Sequence, residues 1–156
     1  MDKQLCPPIC SVRMAPQEAL MKLSIHLTYC GQCEAAFRFY ARALDGAIVT
    51  MLKYGDSPMA AQVPPDWRDK IVHASLTVGE YIIAGVDLLP GDYEPPQGFF
   101  VLLDIDDPAR AERVFDSLSE NGTVRMPMQE TFWASRFGVL VDQFGIPWEI
   151  NCGRPG

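Results

Sequence analysis

Apolar and polar positions along this chain follow two periods, and the order in which the periods appear is used twice. In 34–44 the apolar residues Phe37, Tyr40, Ala41 and Leu44 fall at i, i+3, i+4 and i+7. In 108–118 the residues Ala111, Val114, Phe115 and Leu118 repeat that spacing. Each segment therefore predicts a helix with one face to bury and one charged face. Asp107 followed by Pro108 is a start signal for the second helix: the carboxylate can cap, and proline suits the first helical position. Gly46 and Gly122 follow the two helices, where a left-handed C-terminal residue is easiest for glycine.

Around the helices the period drops to two. Leu23, Ile25, Leu27 and Tyr29 alternate with Ser24, His26 and Thr28, as a half-buried strand does. Strands are also expected over 47–52, Ile71–Val78 and 81–85, the last two joined by a hairpin at Gly79-Glu80. In the second half they are expected over 99–105, 123–128, 136–141 and 147–152, with Asp142 to Gly145 turning the last pair. Pro90, Gly91, Pro95 and Pro96 mark 89–97 as a linker. The order is β-α-β-β-β, linker, β-α-β-β-β: an α+β domain of two tandem βαβββ modules, about 21–90 and 97–152, within a single domain 21–156. Helices would cover one face of each sheet. The polar strand faces, with His26, His73 and Glu149, would look into a cleft between two curved sheets. A ferredoxin-like arrangement of the same elements is the structural competitor.

Composition narrows the function classes. A net charge of -7 argues against nucleic-acid or anionic-membrane partners, which need clustered Lys and Arg. No apolar run approaches the roughly 20 residues that span a bilayer. Residues 1–20, with Pro7, Pro8 and Pro16, show neither period and no secretory pattern, so they read as a loosely ordered tail, and Met21 stands as an alternative start. Five cysteines cannot all pair within one chain; Cys6, Cys10, Cys30, Cys33 and Cys152 read as free thiols of a cytoplasmic protein.

Five ordered motifs then carry a family resemblance from about Met21 to Cys152. They are 31–40 (Gly-Gln-Cys-Glu-Ala-Ala-Phe-Arg-Phe-Tyr), 70–74 (Lys-Ile-Val-His-Ala), 93–99 (Tyr-Glu-Pro-Pro-Gln-Gly-Phe), 129–138 (Gln-Glu-Thr-Phe-Trp-Ala-Ser-Arg-Phe-Gly) and 142–152 (Asp-Gln-Phe-Gly-Ile-Pro-Trp-Glu-Ile-Asn-Cys). Together they resemble PhnB-like proteins of the vicinal-oxygen-chelate superfamily, the group of glyoxalase I, bleomycin-resistance proteins and extradiol dioxygenases. The resemblance implies the paired βαβββ fold, a homodimer and a small-molecule ligand. In catalytic relatives it also implies a divalent metal ion, acting as Lewis acid and template.

Such relatives take His and Glu ligands from the first and last strands of each half. Glu149 matches the last of these, against a plain exposed glutamate. His26 matches the first after a one-residue slip, against a hydrogen-bonded strand histidine. His73 fits the motif but sits on a third strand, which suits pocket lining or proton transfer better than metal binding. Phe99 stands where another ligand should open the second half, and 81–85 has neither His nor Glu, Asp87 being the nearest carboxylate. Phe132, Trp133 and Arg136, with Phe99, set aromatic area beside a guanidinium, a combination suited to a planar or anionic ligand. The alternative is a loop anchored by a buried Trp, with Arg136 paired to an acid.

Two functions follow. One is metal-assisted lyase, isomerase or dioxygenase-type chemistry, with His26 and Glu149 on the metal and Glu149 and His73 as catalytic groups. The other is non-catalytic sequestration of a small molecule, as in bleomycin resistance. A redox module built on Cys30-x-x-Cys33 is a third.

Overall fold

The computed structural model describes residues 21–153. The tail, with Cys6 and Cys10, lies outside them. The first module comprises β1 (Ile25–Tyr29), α1 (Cys33–Ala43), β2 (Ala47–Lys53), β3 (Ile71–Val78) and β4 (Tyr81–Asp87). The second comprises β5 (Val101–Asp104), α2 (Pro108–Ser119), β6 (Thr123–Gln129), β7 (Ala134–Val141) and β8 (Pro147–Gly153). Each module forms its own four-stranded sheet, ordered β1-β4-β3-β2 and β5-β8-β7-β6. The first and last strands of a module pair in parallel, and the other pairs are antiparallel. The predicted tandem βαβββ fold is therefore the one observed. Three short 3-10 turns at 54–56, 60–62 and 65–67 fill the β2–β3 connection, a stretch without a clear period.

The helical stripes seen in the sequence are the buried ones. Phe37 and Tyr40 of α1 and Leu44 just after it lie in the core, with Ala41 half-buried, as do Ala111, Val114, Phe115 and Leu118 of α2. Asp107 caps α2 as expected, accepting from the backbone N–H groups of Ala109 and Arg110, each at 3.2 Å. Helix α1 is capped from a distance. Asp87, at the end of β4, accepts from the Cys33 N–H at 2.9 Å and from the Ile71 N–H at 2.9 Å. Both of its oxygens thus hold backbone, and the carboxylate is buried, so Asp87 is a structural cap and not a spare metal ligand.

The two helix-terminal glycines have a different reason from the expected one. The left-handed residues are Asp45 (φ 52°) and Asn121 (φ 55°), types that tolerate this region. Gly46 and Gly122 follow them because the chain passes close to a neighbouring strand. A Cβ at Gly46 would come 2.7 Å from the Thr77 carbonyl oxygen, and one at Gly122 would come 2.5 Å from that of Val141. The same device appears at the same place in both modules.

The modules meet through α1 and the β7–β8 turn. The buried Asp142 carboxylate accepts four hydrogen bonds: from the Tyr40 hydroxyl (2.5 Å), the Trp148 indole N–H (2.8 Å), and the N–H groups of Phe144 (2.8 Å) and Ile146 (3.0 Å). Tyr40 also packs edge-on against Trp148, and Phe39 against Phe144. Tyr29 extends the chain of contacts by donating to the Tyr40 oxygen at 3.3 Å. No described helix is long and apolar enough to cross a membrane.

Candidate functional site

Strand alternation assigns each candidate side chain to the helix-covered or the open face of its sheet. In module 1, Leu27, Tyr29, Ala74 and Leu76 are buried toward α1. His26 and Thr28 on β1, His73 and Ser75 on β3, and Ala84 and Val86 on β4 therefore take the open face. The two imidazole rings lean together over β4, with centroids 6.4 Å apart and planes inclined by 35°.

In module 2, Trp148, Ile150 and Cys152 are fully buried, which leaves Glu149 and Asn151 half-buried on the open face. Asn151 donates from Nδ2 to Asp104 Oδ1 at 2.7 Å, while its Oδ1 is buried with no partner. Val139 stands opposite Glu149, and Phe137 opposite Asn151. Phe137 begins an aromatic series: its ring centroid is 5.3 Å from Trp133, which is 4.6 Å from Phe132, both contacts edge-to-face. Phe132 is 88% exposed and Trp133 48%, so this series is a surface wall and not the anchor of a buried loop.

Arg136 does not belong to that wall. Its Nε donates to Glu112 of α2 at 2.7 Å, and its Nη1 donates to the Ser135 carbonyl at 2.9 Å. The side chain lies over the helix side of the sheet, where the carboxylate holds the guanidinium proton more firmly than usual. This is the pairing with an acid given above as the alternative for Arg136, and Phe137, its neighbour on the opposite face, continues the aromatic series. Phe99 is half-exposed in the segment before β5. With Phe100, Arg125, Val141 and Pro147 it lines a shallow recess of about 230 Å³ that excludes Phe132 and Trp133. That is smaller than the roughly 300–1,000 Å³ typical of small-molecule pockets.

His26 lies on the sheet of module 1 and Glu149 on that of module 2, and no group of three His, Cys, Asp or Glu able to hold an ion occurs among the described residues. The residues of one chain thus do not fit the metal site that the resemblance implies. Glu149 and the other catalytic candidate, His73, are likewise on separate sheets.

The cysteine motif also resolves. Cys33 is buried at the start of α1, and burial, with the nearby Asp87 and Glu34 carboxylates, pushes its thiol well above the usual range. Cys30, Cys33 and Cys152 are all unpaired. A thiol held protonated in the core is a packing group, which removes the basis for a redox pair.

Two tandem βαβββ sheets, each backed by one helix, are the fold of the glyoxalase/bleomycin-resistance/dioxygenase proteins. A domain of that class from Frankia sp. EAN1pec superposes with a TM-score of 0.60 at 16% identity, covering 87% of this chain and 100% of that one. Within the class, residues 21–151 match the family model described as 3-demethylubiquinone-9 3-methyltransferase, and the chain belongs to that PhnB-like family. It is 40% identical to protein PA1353 of Pseudomonas aeruginosa, with a TM-score of 0.80 over 87% of this chain and all of that one. It is also 34% identical over 141 residues to protein YjdN of Escherichia coli K12, covering 84% of this chain and 95% of the relative.

Proposed function

We propose that this protein binds a small, planar, neutral-to-cationic organic molecule on the open face of module 2, without a metal. The carrying observation is the Phe132–Trp133–Phe137 wall, exposed at Phe132 and Trp133, beside Asn151, whose buried Oδ1 has no donor. A flat ligand stacks on Trp133 and donates a hydrogen bond to that oxygen, which satisfies an otherwise costly buried acceptor. Asp104 and Glu149 on the same face favour positive over negative ligand charge.

A homodimer completes the cleft in this reading. Val49 (65% exposed), Leu102 (50%) and Trp133 lie uncovered in one chain, and a second copy supplies the opposing walls that the open aromatic face lacks. The three unpaired cysteines suit a reducing compartment, the cytoplasm. Metal-assisted chemistry would require His26 and Glu149 to share an ion, and no step of the proposed reading passes through one.

The test uses N-methylquinolinium as a planar cationic probe and naphthalene sulfonate as its anionic counterpart. Saturable binding of the cation is expected, weakened about tenfold by Trp133→Ala, which is about 1.4 kcal/mol of lost aromatic contact. Arg136→Ala should leave the affinity within about twofold. Tighter binding of the sulfonate, lost in Arg136→Ala, would place the site on the wrong face and sink the proposal.

A further inference from the structure

Each module passes from its helix to its second strand through a left-handed residue followed by glycine, but the residue types differ. Module 1 uses Asp45-Gly46 and module 2 uses Asn121-Gly122. Asparagine before glycine is the pair most open to attack by its own backbone, because glycine carries no side chain to shield the amide nitrogen. Asn121 is exposed, and its carboxamide makes no hydrogen bond among the described residues. The chain's other asparagine, Asn151, precedes Cys152 within β8 and donates to Asp104. The same ring closure at Asp45 would expel hydroxide in place of ammonia, a far slower step near neutral pH. In the folded turn the reacting nitrogen is restrained. The Gly122 N–H donates to the Ser119 carbonyl at 2.9 Å, and Gln143 Nε2 donates to the Glu120 carbonyl at 3.3 Å, tying the turn to that between β7 and β8. Ring closure also requires Asn121 to leave its left-handed conformation (φ 55°). The turn has no slack beyond this point: a Cβ at Gly122 would lie 2.5 Å from the Val141 oxygen and 3.1 Å from the Asp142 Cα.

We propose that Asn121-Gly122 is a deamidation site gated by opening of the α2–β6 turn, and that its isoaspartate product loosens the joint between the modules. In the open turn the Gly122 amide nitrogen attacks Asn121 Cγ and forms a new C–N bond. The Cγ–Nδ2 bond breaks, and the side-chain amide leaves as ammonia, carrying the proton from the Gly122 nitrogen. Water then opens the cyclic imide at either carbonyl. Breaking the Cγ–N bond gives aspartate, the residue that module 1 already holds at this place. Breaking the bond from the backbone carbonyl carbon gives isoaspartate, which inserts a methylene into the main chain just before β6. Gly122 has no room for it, and Thr123 is held in register with Val141, so the displacement falls on the end of β7 and on Asp142. Imide formation is slow compared with reclosing of a surface turn, so its rate follows the population of the open turn. The site lies away from the aromatic wall and does not rest on the small-molecule reading.

The test ages the full chain at mildly alkaline pH, once folded and once in denaturing urea. Peptide mass mapping and enzymatic methylation of isoaspartate are the readouts. Conversion should occur at Asn121 and not at Asn151, and should be at least about tenfold slower in the folded chain than in urea. The isoaspartate fraction, isolated by chromatography, should unfold at a lower urea concentration than the parent, whereas Asn121→Asp should unfold with the parent. Conversion in the folded chain within about twofold of the rate in urea, or faster, would overturn the gating. So would reaction of Asn151 as fast as Asn121 overturn the choice of site. An isoaspartate fraction with the parent's midpoint, or an Asn121→Asp variant that loses as much as that fraction, would overturn the claimed effect on the joint.

Discussion

The two modules share a frame and differ on the side the helices leave open. Leu27 and Ala74 both stand opposite Gly85 in module 1, while Leu103 and Gly138 both stand opposite Ile150 in module 2. That register equates His26 with Leu102, His73 with Phe137 and Ala84 with Glu149. Where module 1 has two imidazoles flanking a methyl group, module 2 has two apolar side chains flanking a carboxylate. The helix-facing positions, by contrast, remain apolar and buried in both. Packing constrains one side of each sheet to fill a fixed volume. The other side is free to diverge, and the two halves have come to offer different chemistry on one architecture.

The largest test of that comparison concerns the hairpins between the last two strands of each module. Asp142→Ala leaves four donors unmatched, three of them buried, and should cost about 3–5 kcal/mol in denaturant unfolding. Glu80→Ala, in the exposed two-residue hairpin of module 1, should cost less than about 0.5 kcal/mol. Equal losses would show that the joint between modules is not carried by the β7–β8 turn. Next in size, Gly46→Ala and Gly122→Ala each force a Cβ against a carbonyl and should lose about 1–3 kcal/mol apiece. A large difference between them would break the claim of a shared frame.

A smaller, one-sided effect appears at alkaline pH. Burial raises the phenol pKa of Tyr29 and of Tyr40 well above the ordinary value of 10.0, and that of the Cys33 thiol above 9.0; all three belong to module 1. Above those ordinary values the unfolded chain loses protons that the folded chain keeps. Stability is therefore full below about pH 9 and falls as pH rises toward the folded-state values, by up to about 1.4 kcal/mol per pH unit for each group. Tyr29→Phe should flatten this decline, measured as the urea midpoint between pH 9 and 11. An unchanged slope would remove Tyr29 from the account.

The frame was legible in the sequence because it is written in local periods. Helical spacing, alternation and Asp107-Pro108 each depend on residues within one or two turns of each other. Asp87 was not legible in the same way, since its partners lie 54 and 16 residues away and nothing local points to them. Proximity along the chain groups Arg136 with Trp133, whereas an irregular register between Ala134 and Arg136 and the carboxylate of Glu112 set the face it takes. Phe137, Val139 and Val141 alternate along one strand face, and only contact with α2 identifies which face is open. His26 and His73 were assigned to one polar side from alternation alone. Their approach to each other depends on the strand inserted between them, which local pattern does not disclose.

The contact between Tyr40 and Asp142 has a consequence for the duplication itself. A phenol from the first copy of the unit now satisfies a carboxylate in the second, so neither half retains a complete interior alone. Heating the chain should therefore melt it in one cooperative transition, with calorimetric and van't Hoff enthalpies in agreement. The two repeats then behave as a single thermodynamic object, and removing either half is expected to unfold the other.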